Sequence, residues 1–128
     1  MSVTAHAKSV RIAPRKVGVV AALVRGRTVA DALTILDHTQ RRAAIAVKKT
    51  IQSAAANADY NHDYQLDSLY IQQIIVTPGA RYKRFRPAAR GMALPYQLRS
   101  SHIRVVLDGT KKQPKKKPAA KRTQKEAK

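Results

Sequence analysis

Cysteine and tryptophan are absent from this 128-residue chain, phenylalanine occurs once, and only seven residues are acidic. Without cysteine there is no disulfide framework, no thiolate metal site and no cysteine nucleophile. No apolar run approaches the ~18 residues of a membrane span. The opening residues, Met1 to Lys8, lack the charged-then-apolar order of a secretory signal. Against the seven acids stand 26 Lys and Arg, a formal charge of +19. So large an excess of one sign opposes compaction and implies a polyanionic partner, whether nucleic acid, an anionic membrane surface or an acidic protein. The length suits one domain, and a cytosolic polyanion-binding protein is the expectation.

The charge is partitioned. Residues 1–27 hold no acid but carry Lys8, Arg11, Arg15, Lys16, Arg25 and Arg27. Residues 77–102 also hold none, and carry Arg81, Lys83, Arg84, Arg86, Arg90 and Arg99. Residues 28–76 are nearly balanced, with Arg41, Arg42, Lys48 and Lys49 facing five Asp. Residues 110–128 hold nine bases, beginning with Lys111 and Lys112, and one acid, Glu126. That stretch has no large apolar side chain, and Pro114 and Pro118 interrupt any helix. It cannot offset its ordering entropy, so residues 110–128 are expected to be a disordered Lys-rich tail on a domain spanning 1–109.

Three segments carry helical periodicity. In the first, Pro14 suits a first turn, and Val17, Val20, Ala21 and Val24 recur on one face. Arg25 is expected in its last turn and Gly26 at its left-handed cap. Gly18 inside it suggests a close packing contact, because glycine there costs ~1 kcal/mol relative to alanine. In the second, Thr28 and Asp31 approximate a capping box ahead of Val29, Ala32, Leu33 and Leu36. The third starts near Thr39 and aligns Ala44, Val47, Ile51, Ala54, Ala55 and Ala58, with Lys48 and Lys49 roughly opposite. Asp59 to Asp67 reads as a polar turn-rich loop. Its Asp59, His62 and Asp63 fit a solvated loop better than a metal site. Strands are expected from Leu69 to Val76 and from Ile103 to Leu107, and Val3 to Ile12 alternates loosely enough to add a third. The order implies an α+β fold: three helices packed on a small three-stranded antiparallel sheet.

Residues 78–101 decide the reading. They lie between two strands and contain only Tyr82, Phe85, Met92, Leu94, Tyr96 and Leu98 as sizeable apolar groups. Such a segment cannot build a second core, and it exceeds the ~2–5 residues of an ordinary hairpin loop. If its flanks pair, they form a protruding β-hairpin on the order of 40 Å long. With six cations and no acid, its partner must be rich in phosphate.

The run Lys83-Arg84, Pro87, Ala89-Arg90-Gly91, Ala93, Arg99, Ser101-His102-Ile103 resembles the signature of the large-subunit ribosomal protein family L-twenty-two. Lys8-Ser9, Ala13 to Val17, Leu23 to Gly26, Ala32-Leu33 and Ala54 to Ala58 extend the resemblance across residues 5–108. It implies a body on the outer surface of the large subunit, in the cytoplasm, and a hairpin driven through ribosomal RNA. It further implies that Ala88, Ala89, Arg90, Gly91, Met92 and Ala93 help line the nascent-peptide exit tunnel, beside the large-subunit protein L-four. The implied partners are therefore large-subunit RNA, neighbouring ribosomal proteins and the nascent peptide in transit. Ala88 and Met92 stand where the family commonly has basic residues, and Pro95 and Leu98 replace polar or basic ones. The tip should be less cationic than in typical members.

The candidate RNA-binding residues are the cations of the head and of the hairpin, with Lys48, Lys49, Ser101, His102, Lys111 and Lys112. Arginine pairs bidentately with phosphate and stacks on bases, whereas lysine acts as a mobile point charge. Tyr82, Phe85 and Tyr96 supply stacking surfaces. For Ser101 and His102 an RNA contact and a local turn hydrogen bond are both open. No cofactor, metal or membrane partner is expected, and the chain is expected to act as a monomer within the ribosome. An enzyme is disfavoured, since the four His are scattered and no H-E-x-x-H, phosphate-loop or G-x-S-x-G pattern occurs. The alternative is an architectural DNA-binding protein with a basic β-arm, which usually needs a dimer to embrace the duplex.

Overall fold

The computed structural model describes residues 2–111. Its elements run β1 (Val3–Val10), α1 (Pro14–Val24), α2 (Val29–His38), α3 (Arg42–His62), β2 (Tyr70–Pro87) and β3 (Ala93–Asp108), with short 3-10 turns at Leu66–Ser68 and Ala89–Gly91. The three strands form one antiparallel sheet in the order β1-β3-β2. The helices cover one of its faces, as the α+β expectation requires. Inward-facing Ile103, Val105 and Leu107 of β3 stand opposite Ala7, Ala5 and Val3 of β1 and Val76, Ile74 and Ile71 of β2. Against this layer α1 brings Val17, Val20, Ala21 and Val24, and α3 brings Val47, Ile51, Ala54 and Ala58. The alanines let the long helix lie close to the sheet. One contiguous core results.

Helix boundaries depart from the periodicity where side-chain hydrogen bonding decides. Thr39 does not start α3; its hydroxyl donates to the Ile35 carbonyl at 2.7 Å and its N–H to Leu36, so it closes α2. Thr28 caps α2 as expected: its oxygen accepts from the Asp31 N–H at 3.2 Å while its hydroxyl donates to the Asp31 carboxylate at 2.8 Å. Arg25 lies past the end of α1 in extended backbone, and its guanidinium donates to the Ile74 carbonyl at 3.2 Å. Gly26 does take a positive φ of 75°.

Two further expectations are overturned. Gly18 meets no close packing; a Cβ built there has nothing within 4 Å. The supposed loop after Asp59 is helical as far as His62, which places Asp59 and His62 on α3. Asp63 ends the helix in the left-handed conformation, φ 52° and ψ 41°, and the Tyr64 N–H reaches back to the Ala58 carbonyl at 3.1 Å. Tyr64 is fully buried beneath this turn. That buried ring anchors the termination which the Asn and Asp residues alone suggested lay earlier.

The chain does not leave the body at Gly109. Gln65 N–H donates to the Thr110 carbonyl at 3.0 Å, Thr110 N–H donates to Ser68 Oγ at 3.0 Å, and Lys111 bridges to Tyr64. The expected start of the tail at 110 is thus part of the body. The rest of that tail, Lys112 onward, lies outside the described residues.

Candidate nucleic-acid interface

β2 and β3 pair in the core and then continue beyond it. Past Pro78–Ser101 the ladder runs through Arg81–Arg99, Tyr82–Leu98, Lys83–Gln97, Arg84–Tyr96, Phe85–Pro95 and Arg86–Leu94 to Pro87–Ala93. At about ten residues per arm this extension spans about 30 Å, shorter than the ~40 Å estimate because five residues close the tip.

A bulge marks the exit from the core. Between Pro78 and Arg81, β2 sets two residues, Gly79 and Ala80, opposite Ser100. Ser100 Oγ donates to the Ala80 carbonyl at 2.7 Å, and a Cβ on residue 79 would lie 2.6 Å from that same oxygen. Only glycine leaves room for the hydroxyl to hold the bulge. At the far end, Ala88 N–H donates to the Met92 carbonyl at 2.7 Å, with Arg90 at φ 59° and Gly91 at φ 73° making the reversal. Residues 88–93 do form the turn and its first return position.

Directly opposed residues share a face of a two-stranded ribbon. One face of the hairpin therefore carries Arg81, Arg99, Lys83, Gln97, Phe85 and Pro95. The other carries Tyr82, Leu98, Arg84, Tyr96, Arg86 and Leu94. On the second face the Arg86 guanidinium lies 4.7 Å from the Tyr96 ring centroid, and that of Arg84 lies 6.0 Å from Tyr82. With no acid on the hairpin, the guanidinium groups lie across rings instead. Tyr82 is 55% exposed and Phe85 68%, so these rings contribute little to the protein's own core. They are held out to solvent by the ladder alone. The arrangement presents planar cations and π-faces together, which is what phosphate pairing and base stacking require.

On the body the candidates separate. Lys8, Arg11, Arg15 and Lys16 are all exposed around the end of β1 and the start of α1. Arg27 is exposed, and its Nε donates to the Leu23 carbonyl at 3.0 Å. Arg25 is tied to β2 as described. Lys48 is paired with Asp37, the ion pair found among the described residues, whereas Lys49 has no such partner. Ser101 is 0% exposed, in the core beneath the hairpin's root. Its hydroxyl is unavailable to any ligand in this conformation, which removes it from the contact surface. His102 Nδ1 accepts from the Ser9 N–H at 2.9 Å. That bond fills the bulge in β1 where Ser9 takes φ 56°. The ring's hydrogen bond is thus a long-range one between β3 and β1, not a local turn bond, and it leaves Nε2 as the ring's free nitrogen. Lys111 sits beside the Leu66–Ser68 turn, and Lys112 lies outside the described residues.

Three cations were missed in the sequence. Arg104 stands on the open face of the sheet, across from His6 and Ile75. Strict alternation from the inward Ile103 and Val105 was sufficient to place it there. Arg41 and Arg42 begin α3 beside Arg11 and Lys16. In the linear sequence they are two more cations on the polar side of the third helix, and nothing there shows that the fold sets them beside Arg11 and Lys16. Among the described residues no cluster of His, Asp and Glu is arranged to hold a metal, and no helix is long and apolar enough to cross a membrane.

Comparison with known proteins bears directly on this hairpin-bearing body. Residues 5–108 match the family model described as ribosomal protein L22p/L17e. The chain is 51% identical over 107 residues to the "Large ribosomal subunit protein uL22" of Oceanobacillus iheyensis, covering 84% of this chain and 95% of that protein. It is 49% identical over 106 residues to the protein of the same name from Lactobacillus helveticus, covering 83% and 91%. For the one from Lacticaseibacillus casei the identity is 47%, with the same coverage. A match that takes in the helical body and the whole protruding hairpin together shows that the chain belongs to the ribosomal protein L22p/L17e family.

Proposed function

We propose that this chain is a structural constituent of the large ribosomal subunit that binds large-subunit ribosomal RNA, assists its assembly, and places its hairpin tip in the wall of the nascent-peptide exit tunnel. It is a ribosomal protein by family, and its role is architectural, not catalytic. The observation that carries the reading is the hairpin itself: six cations, no acid, and exposed rings on a ribbon that continues a buried sheet away from the core. An isolated two-stranded ribbon is marginal in water. Nucleotides packed on both its faces supply the burial that the protein does not.

The mechanism follows from the division of labour along β2 and β3. Their inner halves are locked by Ile71, Ile74, Ile103, Val105 and Leu107, so the outer halves are aimed by a rigid base. Arginines then pair with phosphates, and Tyr82, Phe85 and Tyr96 stack on splayed bases. Recognition is of RNA shape, not of a readable groove. The tip, Ala88, Ala89, Arg90, Gly91, Met92 and Ala93, holds one charge and a compact turn, suited to a wall past which a peptide slides. Under this reading its neighbours there are the protein L-four and the peptide in transit, and the chain acts as a monomer in the cytoplasmic ribosome.

Sedimentation of cell lysate through a sucrose gradient in high salt tests the assignment. The chain is expected to travel with large subunits. Recovery only at the top of the gradient would reject it.

A further inference from the structure

The mouth of a cleft of about 450 Å³ opens where the end of β1 meets the starts of α1 and α3, and Arg11, Lys16, Arg41 and Arg42 line it. No carboxylate lines it, and among the described residues none of the four cations is ion-paired. Four like charges around one concavity repel one another in the free protein, a cost that an anion in the cleft relieves. The backbone adds to the same potential. Both α1 and α3 begin at this cleft with no side-chain cap and no acid in the first turn. Arg11 also lines a second cleft, at the root of the hairpin, with Arg84 and Arg99. The cations of the hairpin and those of the helix ends thus form one track with Arg11 at its middle.

We propose that the cleft bounded by Arg11, Lys16, Arg41 and Arg42 is a phosphate-binding subsite, occupied by a backbone phosphodiester of an RNA strand that runs on to the hairpin root. This rests on the RNA-binding reading and deepens it by assigning Arg41 and Arg42, which belong to neither the hairpin nor the basic head. Their planar guanidinium groups supply paired donors to one phosphate, Lys16 supplies a point charge, and Arg11 passes the strand from one cleft to the next.

The test uses the full chain and two probes. Inorganic phosphate is titrated while backbone amide resonances are followed by NMR. Saturable shifts are expected at Arg15, Lys16, Arg42 and Ala43, and they should vanish in an Arg41→Gln/Arg42→Gln variant whose thermal melting is unchanged. A transcript of large-subunit ribosomal RNA is then bound at a series of salt concentrations. The double variant should lose on the order of tenfold in affinity, with a log–log salt slope shallower by about 0.7–0.9 for each phosphate lost. Lys16→Gln alone should give a smaller loss of the same kind. Absence of phosphate-induced shifts at the cleft in the unmodified protein, or an unaltered salt slope in the double variant, would overturn the subsite while leaving RNA binding by the hairpin intact. Shifts at the cleft without any binding of the transcript would overturn the RNA reading itself, and the RNA strand as occupant with it.

Discussion

Arg81 stands directly opposite Arg99 across the β2–β3 ladder, one step beyond the bulge at which the hairpin leaves the core. Like charges in directly opposed positions are destabilising. Here the pair lies with Lys83 on one face, and the hairpin has no carboxylate to offset it. Two like charges thus face each other in the free protein, a repulsion that an anion bound at this position would relieve.

Replacing one member separates those two roles. Arg99→Glu converts repulsion into an exposed cross-strand ion pair and is expected to raise the stability of the free protein by about 0.5 kcal/mol. The same change should weaken binding to large-subunit RNA and make the salt slope shallower by about one to two phosphate equivalents. Urea denaturation and filter binding at several salt concentrations measure the two effects. A variant that loses both stability and affinity would show that Arg99 is a structural residue of the hairpin.

The body should not need the hairpin. Among the hairpin's large side chains Tyr82, Phe85, Met92 and Leu94 are all exposed, whereas the sheet's buried positions end at Ser100 on β3 and Ile74 on β2, with Val76 half-buried. Replacing residues 80–100 with a short glycine-containing turn is expected to leave far-UV circular dichroism of the helices and cooperative unfolding in place, while incorporation into large subunits falls. An unfolded product would mean that the ribbon is a part of the core.

Most of the architecture was legible because it depends on apolar spacing. Val17, Val20, Ala21 and Val24 marked α1, the alanine-rich arc marked α3, and the apolar runs on either side of residues 78–101 marked the paired strands. What was not legible depended on partners distant in sequence. Thr39 looked like the start of a helix because its bond to the Ile35 carbonyl is invisible in a linear pattern. The turn-forming residues after Asp59 concealed a helix that ends only where Tyr64 finds a buried seat. The interface was readable as charge, since the hairpin's cations are contiguous in sequence. The cleft was not, because Arg11, Lys16, Arg41 and Arg42 come from three elements and are brought together only by the packing of α1 and α3 on β1.

Gly18 offers a gain in stability. It is a helical glycine whose missing methyl would enter open space. Gly18→Ala should therefore stabilise the free protein by about 1 kcal/mol, the difference in helix propensity. A loss in urea denaturation would reveal a packing constraint at α1 that the structure does not contain.

The bulge provides the closest test of how the hairpin is aimed. A methyl on residue 79 collides with Ser100 Oγ and so competes with the hydroxyl's bond to the Ala80 carbonyl. Gly79→Ala alone is expected to cost about 1–2 kcal/mol, from the displaced hydroxyl and the strain around it. Ser100→Ala alone should cost about 1 kcal/mol, the value of the bond. The two changes share one cause, so the double variant should be less destabilised than the sum, with a coupling of at least about 0.5 kcal/mol. Strict additivity in urea denaturation would show that glycine is required at 79 for another reason, such as the approach of His102 Nε2 at 3.3 Å. If the bulge aims the ribbon as well as stabilising it, Gly79→Ala should also lower RNA affinity though it removes no charge, and Ser100→Ala should restore part of it. That recovery belongs to the geometry of the exit from the core, since the cations are the same in every variant of the cycle.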